Sequence, residues 1–301
     1  MKRFNYILFI FNNKDCFRCN IINLCNKNVI IPEKAKYLRR STMKKLNTNQ
    51  LKYIALFFMF LDSVFFAFSG LLPSWIHLIT RFVAPLFAFF TVEGFYHTRN
   101  RKKYMARLWT AAILMQFGNL ISFIALGEKY QIVDNIFLTL ALGFTVIYFL
   151  QKGRSSKKVI YKILGIFIFI FGLVFSVVPI VIGNYFIGLE GGIQVLFTMI
   201  SFWAFYGNRK KQVITFLILN MLYLPLFAPS LNPSKYPNLA LWFDNICYNS
   251  DSFTFLFLPF IFLYNGKKGS KAPIHKWFFY IFYPLQFWIL NILAFVLKIK
   301  G

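Results

Sequence analysis

Nine apolar runs, joined by connections that alternate between basic and base-poor, constrain this chain more than any other feature. The runs lie at roughly 51–69, 78–96, 108–126, 133–150, 160–182, 187–206, 212–229, 253–265 and 277–297. A helix needs about 20 residues to cross about 30 Å of hydrocarbon, and most of the runs reach that length. The sixth carries Glu190 near its start. The eighth is short with Pro259 inside it, so either a span or a re-entrant segment fits.

One set of connections is rich in Lys and Arg. Lys44, Lys45 and Lys52 stand at the first run, and Arg99, Arg101, Lys102, Lys103 and Arg107 join runs two and three. Lys152, Arg154, Lys157, Lys158 and Lys162 join four and five, and Arg209, Lys210 and Lys211 join six and seven. Lys267, Lys268, Lys271 and Lys276 join eight and nine. The intervening connections hold little base: none at 70–77 or 183–186, Lys129 at 127–132, and Lys235 at 230–252. Basic residues collect on the cytoplasmic side of membrane proteins. The expected fold is therefore an all-α polytopic membrane bundle of about nine helices, N-terminus inside and C-terminus outside.

Composition agrees. Hydrophobic residues make up 58% of the chain and charged residues only 14%, too apolar for a soluble domain and well suited to a bilayer. The formal charge of +25 would suggest nucleic acid in a soluble protein. Here its confinement to alternate connections assigns it to topology, with the lipid bilayer as partner and no nucleic acid. Residues 1–42 read as a disordered leader or a mis-assigned start, because Met43-Lys44-Lys45-Leu46 directly precedes the first run. Residues 43–301 read as a single transmembrane domain. Cys16, Cys19 and Cys25 lack a His at ligand spacing or a second CxxC, so no metal site is expected.

Ionisable groups within a bilayer mark cavities or pairs. Asp62 falls near the midplane of the first run, and Arg81 lies a few residues inside the outer end of the second. The depth difference is about one helical turn, within reach of Arg, so an Asp62–Arg81 pair is expected. Glu93 and His97 stand four apart at the cytoplasmic end of the second run and share a face. A carboxylate there can orient an imidazole as a general base, or the two can form an interfacial cap. His77 and His275 fall on opposite sides of the membrane. No GxSxG, Walker loop, GxGxxG or HExxH occurs.

LKYIALFFMFLDS from residue 51 and RFVAPLFAFFTVEGFYHTRNRKKYMARL at 81–108 resemble the opening of the TraX family, as do NIFLTLALG at 135–143, YNGKKGSK from 264 and FFYIFYPLQ ending at Gln286. The resemblance runs from residue 43 to about 297. It implies a bacterial multi-pass protein of the cytoplasmic membrane, related to membrane acyltransferases that take acyl groups from cytosolic acyl-coenzyme A. The residues carried over are Asp62, Arg81, Glu93, His97, Thr98, Arg99 and Asn100. The family pattern has Asp-His where this chain has Asp62-Ser63, and Tyr-Pro-Leu-His where it has Tyr283-Pro284-Leu285-Gln286. Ser63 and Gln286 do not titrate near neutrality, and both fall near the midplane, where one cavity can take both.

The expected function is transfer of an acetyl group from acetyl-CoA to an amine or hydroxyl of a pilin-like peptide or surface glycan. His97, Glu93 and Asp62 are the catalytic candidates, and Arg81, Arg99, Asn100, Arg101, Lys102, Ser63 and Gln286 the binding candidates. Two alternatives stand beside it. Loss of both family histidines fits a non-catalytic immunity, assembly or conjugation partner. A polar midplane fits a small-molecule transporter, although no inverted halves are evident.

Overall fold

The computed structural model describes residues 45–68, 71–227 and 232–298. The expectations for the leader and for Cys16, Cys19 and Cys25 lie outside the described residues. The helices are α1 (Thr48–Ala67), α2 (Trp75–Thr80), α3 (Val83–His97), α4 (Arg101–Leu126), α5 (Ile136–Ser156), α6 (Val159–Val177), α7 (Gly192–Ala204), α8 (Arg209–Phe227), α9 (Leu239–Tyr248), α10 (Leu258–Leu263) and α11 (Pro273–Val296). One antiparallel hairpin, β1 (Ile180–Ile182) with β2 (Tyr185–Ile187), pairs Ile180 with Ile187 and Ile182 with Tyr185.

Among the described residues six helical stretches are long and apolar enough to cross a membrane: α1, α2 with α3, α4, α5, α6 and α11. Two further apolar pieces, α7 and Thr254–Leu263, are shorter. The expected sixth run thus does not form one helix. Its first residues belong to β2 and to a turn in which Gly191 and Gly192 take φ of +65° and +32°, values that interrupt a helix and favour glycine. The expected eighth run is a 3-10 turn, Thr254–Phe257, leading into α10 with Pro259 in its first turn, where the missing N–H costs nothing.

Asparagine starts many of these helices. Asn47 forms a reciprocal capping box with Gln50, and Asn100, Asn135 and Asn238 each accept the backbone N–H three residues on. A capping oxygen satisfies a donor that the helix itself leaves unpaired. The break between α2 and α3 has a local cause: Pro85 cannot donate to the carbonyl of Arg81, four residues back. The last turn of α2 tightens accordingly, with Arg81 N–H bonded to Leu78 O at 3.3 Å.

The core is aromatic, built on Phe89, Phe95, Phe144, Phe202, Phe216 and Phe257, each almost fully buried. α6 by contrast buries only Gly165, Gly172 and Phe175. Its exposed Ile, Phe and Val side chains suit lipid, and its two buried glycines let Leu150 and Leu142 of α5 approach closely. Polar side chains bind helix to helix: Trp288 Nε1 donates to Asn119 Oδ1 at 3.0 Å, and Asn291 Nδ2 to Ser122 Oγ at 3.0 Å. The connection after α10 is pinned to the start of α1, with Leu46 N bonded to Leu263 O at 2.8 Å and Thr48 N to Lys267 O at 2.9 Å.

Candidate functional site

Among the described residues, two cavities in the bundle gather ionisable side chains. The larger, about 680 Å³, lies at the end of the second span remote from the basic connections; Asp62, Ser63, His77, Thr80, Arg81, Glu190 and Asp251 are among its lining. The break after α2 turns His77, Thr80 and Arg81 toward α1. Arg81 Nη2 donates to Asp62 Oδ2 at 2.6 Å, so the two residues form the expected pair. Arg81 Nη1 also binds Asp251, on the turn after α9.

His77 joins the same carboxylate. Its Nδ1 is 2.7 Å from Asp62 Oδ1, and Thr80 Oγ1 is 2.8 Å from that oxygen. An ionised carboxylate only accepts, so the proton of a neutral His77 sits on Nδ1 and Nε2 carries the lone pair. That Nε2 faces Asp251 Oδ1 at 3.7 Å. The ring stacks on Phe65, with centroids 5.6 Å apart, and meets Phe66 edge-on at 4.7 Å. Packing and hydrogen bonding therefore both fix its orientation, and only 2% of the side chain is exposed. Asp251 is open to solvent at the cavity mouth. Burial raises its pKa, but the facing imidazole and the Arg81 guanidinium outweigh this and hold the carboxyl below the ordinary range.

Ser63 and Gln286, the two positions that depart from the family pattern, meet each other. Gln286 Nε2 lies 3.4 Å from Ser63 Oγ, and Ser63 Oγ donates to Met59 O at 3.0 Å. Gln286 Oε1 is buried with no partner.

The smaller cavity, about 320 Å³, lies at the basic-connection end; Lys52, Glu93, His97, Arg107, Lys268, His275, Lys276 and Tyr283 are among its lining. Among the described residues Glu93 is its one carboxylate, and Arg209 Nη2 binds it at 2.7 Å. Lys52 rests near aromatic faces, 5.2 Å from the Phe279 ring centre, and Arg107 Nε is buried with no acceptor among the described residues. A space lined by several cations, with such a donor, suits an anion.

The remaining sequence candidates scatter. His97 Nδ1 bonds the Glu93 backbone carbonyl at 2.8 Å and lies 3.7 Å from the carboxylate, with 63% of its side chain exposed. Asn100 caps α4 through Lys103 N at 2.9 Å. Arg101 stacks on Phe95, 4.3 Å from the ring centre, and Arg99 and Lys102 are exposed; none of the three lines the basic cavity. Sequence reasoning missed His77, Asp251 and the cavity lysines. Asp251 lies 170 residues from Arg81, a separation that no motif spans. His77 did carry a signal: it precedes Arg81 by one helical turn, so the depth argument made for Arg81 applies to it as well.

The family described as TraX protein matches residues 47–294. The chain is 31% identical over 252 residues to a protein of Dichelobacter nodosus named probable fimbrial assembly protein FimC, serogroup H1; the match covers 79% of this chain and 91% of that relative. No solved structure matches.

Proposed function

The chain belongs to the TraX family, and from that premise we propose that it is a membrane acyltransferase acting in pilus biogenesis. In this reading α7, α8 and the Thr254–Leu263 segment complete nine crossings, and the basic connections face the cytosol. The observation that carries the reading is His77, hydrogen-bonded to Asp62 inside a cavity large enough for a reactant. Acetyl-CoA is the donor. Its phosphates lie against Lys52, Arg107, Lys268 and Lys276, and His97 borders that cavity. Pilin-like peptide, or a glycan, supplies the acceptor. The name of the Dichelobacter relative supports a pilus connection.

His77 Nε2 takes the proton as the acceptor's N–H or O–H bond breaks and its nitrogen or oxygen bonds to the thioester carbonyl carbon. The C–S bond then breaks, and the proton passes to the departing thiolate to give the free thiol. Asp62 holds the imidazole in the required tautomer through Nδ1. Arg81 binds the other oxygen of Asp62 and holds it in place.

A second reading, a non-catalytic pilus-assembly partner, rests on the Ser63–Gln286 contact, which puts two groups without a titrating proton where the family pattern has histidines. Incubating membranes with acetyl-labelled coenzyme A and a pilin-like peptide separates the two. Label transfer that His77→Ala abolishes, with insertion intact, is the outcome expected of an enzyme. No transfer by the natural chain, with transfer gained by Ser63→His with Gln286→His, would establish the non-catalytic reading.

A further inference from the structure

The two cavities come together at one hydrogen bond. Tyr283, on α11, lines the basic-end cavity, and Glu190, in the turn before α7, lines the larger one. The phenol donates to Glu190 Oε2, so each wall holds the other. Tyr283 OH also accepts the N–H of Ile136 at 2.9 Å, the first residue of α5. That N–H is one of those a helix cannot satisfy itself. The ring packs edge-on against Phe137 of the basic-end cavity, at 5.0 Å, and at 5.2 Å against Phe287, which lines the larger cavity.

The two partners are not equally fixed. Tyr283 is 2% exposed within a long helix. Glu190 lies in the segment Gly188-Leu189-Glu190-Gly191-Gly192, where two glycines hold positive φ. Backbone of this kind absorbs large dihedral changes at low cost. The carboxylate side of the bond is therefore the side that moves. A Thr139 hydroxyl on the Glu190 carbonyl, at 2.8 Å, ties the closed position to α5.

We propose that the Tyr283–Glu190 hydrogen bond is the partition between the two cavities, and that swinging Glu190 aside on its glycines joins them into one passage from the basic face to His77. Resting on the acyltransferase reading, this passage admits the thioester arm of a donor whose phosphates stay on the basic side. A phenol-to-carboxyl bond suits such a partition. It closes the wall with one directional contact, and breaking it leaves a carboxyl group that cavity water can solvate.

Access, and not transfer, tests the partition. A single cysteine is placed at Ala84, which lines the larger cavity beside Gly191, in a chain whose own cysteines are replaced by Ser. A membrane-impermeant charged methanethiosulfonate is applied to one face at a time of oriented vesicles. In the parent, labelling from the basic face is expected at least ten-fold slower than from the other face. Tyr283→Phe, which keeps the ring and removes the hydroxyl, is expected to raise basic-face labelling at least ten-fold. Glu190→Gln keeps an acceptor and is expected to leave it slow. Equal basic-face rates in the parent and Tyr283→Phe, or fast basic-face labelling in the parent, would overturn the partition. Because no acyl donor is present, this result is independent of whether the chain transfers acyl groups.

Discussion

The two ends of the second span carry the same three residue types, a histidine, a carboxylate and an arginine, and use them differently. At the end remote from the basic connections, His77 and Arg81 share Asp62, at 2.7 and 2.6 Å. At the basic end Arg209 takes Glu93 at 2.7 Å, and His97 bonds a backbone carbonyl and stands 3.7 Å from the carboxylate, mostly in solvent. The i,i+4 spacing of Glu93 and His97 brings their Cβ atoms together but does not decide which cation wins the carboxylate. A guanidinium is always charged and presents several donors; a half-exposed imidazole does not compete with it. Where the histidine is buried, the carboxylate is divided, Oδ1 of Asp62 taking His77 and Oδ2 taking Arg81. Composition is thus shared, but burial and geometry differ: the Asp62 end holds its histidine buried on the carboxylate, and the Glu93 end leaves its histidine exposed beside one.

The largest effect separates the two histidines. His77→Ala removes the buried base and is expected to lower acyl transfer by about 10²- to 10⁴-fold, the usual contribution of a general base. His97→Ala is expected to cost less than about ten-fold, through donor contact alone. Initial rates at saturating donor and matched folded protein check this. A larger loss at His97 than at His77 would reverse the assignment of the two ends.

Next in size is the stability of the larger cavity's ion pair. Arg81→Ala removes the guanidinium that binds both Asp62 and Asp251, and loss of one member of a buried pair commonly costs about 3–5 kcal/mol. Asp62→Ala is expected to cost less, because Arg81 keeps Asp251. Thermal unfolding in detergent measures both. Equal losses would mean that Asp251 does not hold Arg81.

Much of the architecture was legible before any coordinates. The six long helices fall on the apolar runs, and the Asp62–Arg81 pair followed from hairpin depth. What escaped had physical causes. Glu190 read as the start of a sixth helix because hydropathy ignores backbone conformation, and the positive φ of Gly191 and Gly192 ends that reading. The cavity lysines escaped because Lys52 stands far in sequence from Lys268 and Lys276. They converge when Leu46 and Thr48 bond the backbone of Leu263 and Lys267. The basic block after His97 drew attention instead, yet Asn100 there caps a helix and Arg101 covers an aromatic ring.

A smaller effect is expected at the basic end. Glu93 is buried but Arg209 is 41% exposed, so solvent screens their attraction. Glu93→Gln keeps a hydrogen-bond acceptor for Arg209 and is expected to cost about 1 kcal/mol of stability. Its effect on transfer is expected to be under about three-fold in kcat, since the carboxylate binds Arg209 and so holds α3 to α8. A loss of transfer comparable to that of His77→Ala would show that Glu93 acts on chemistry.

The smallest effect is the pH dependence contributed by Asp251. Its folded pKa is held below the ordinary carboxylate value by His77 and Arg81, against the opposing effect of burial. A depressed carboxylate contributes stability above its unfolded pKa, near 3.9, and that contribution is lost as pH falls through the lower folded value. The side chain is 77% exposed, so screening limits the contribution to under about 1 kcal/mol at neutral pH. Asp251→Asn should therefore lower the melting temperature by only a few degrees at pH 7, on the order of 2–4 °C. The difference from the parent should shrink in high salt and fall away as the pH drops below the unfolded value and through the lower folded one. Asp62 provides the contrast, since it is the less exposed carboxylate and binds both His77 and Arg81, so its Asn variant should lose more stability at neutral pH and keep more of that loss in high salt. If Asp251→Asn proves the more damaging of the two, the mouth carboxylate and not Asp62 anchors the Arg81–His77 cluster, and the tautomer assigned to His77 has to be reversed as well.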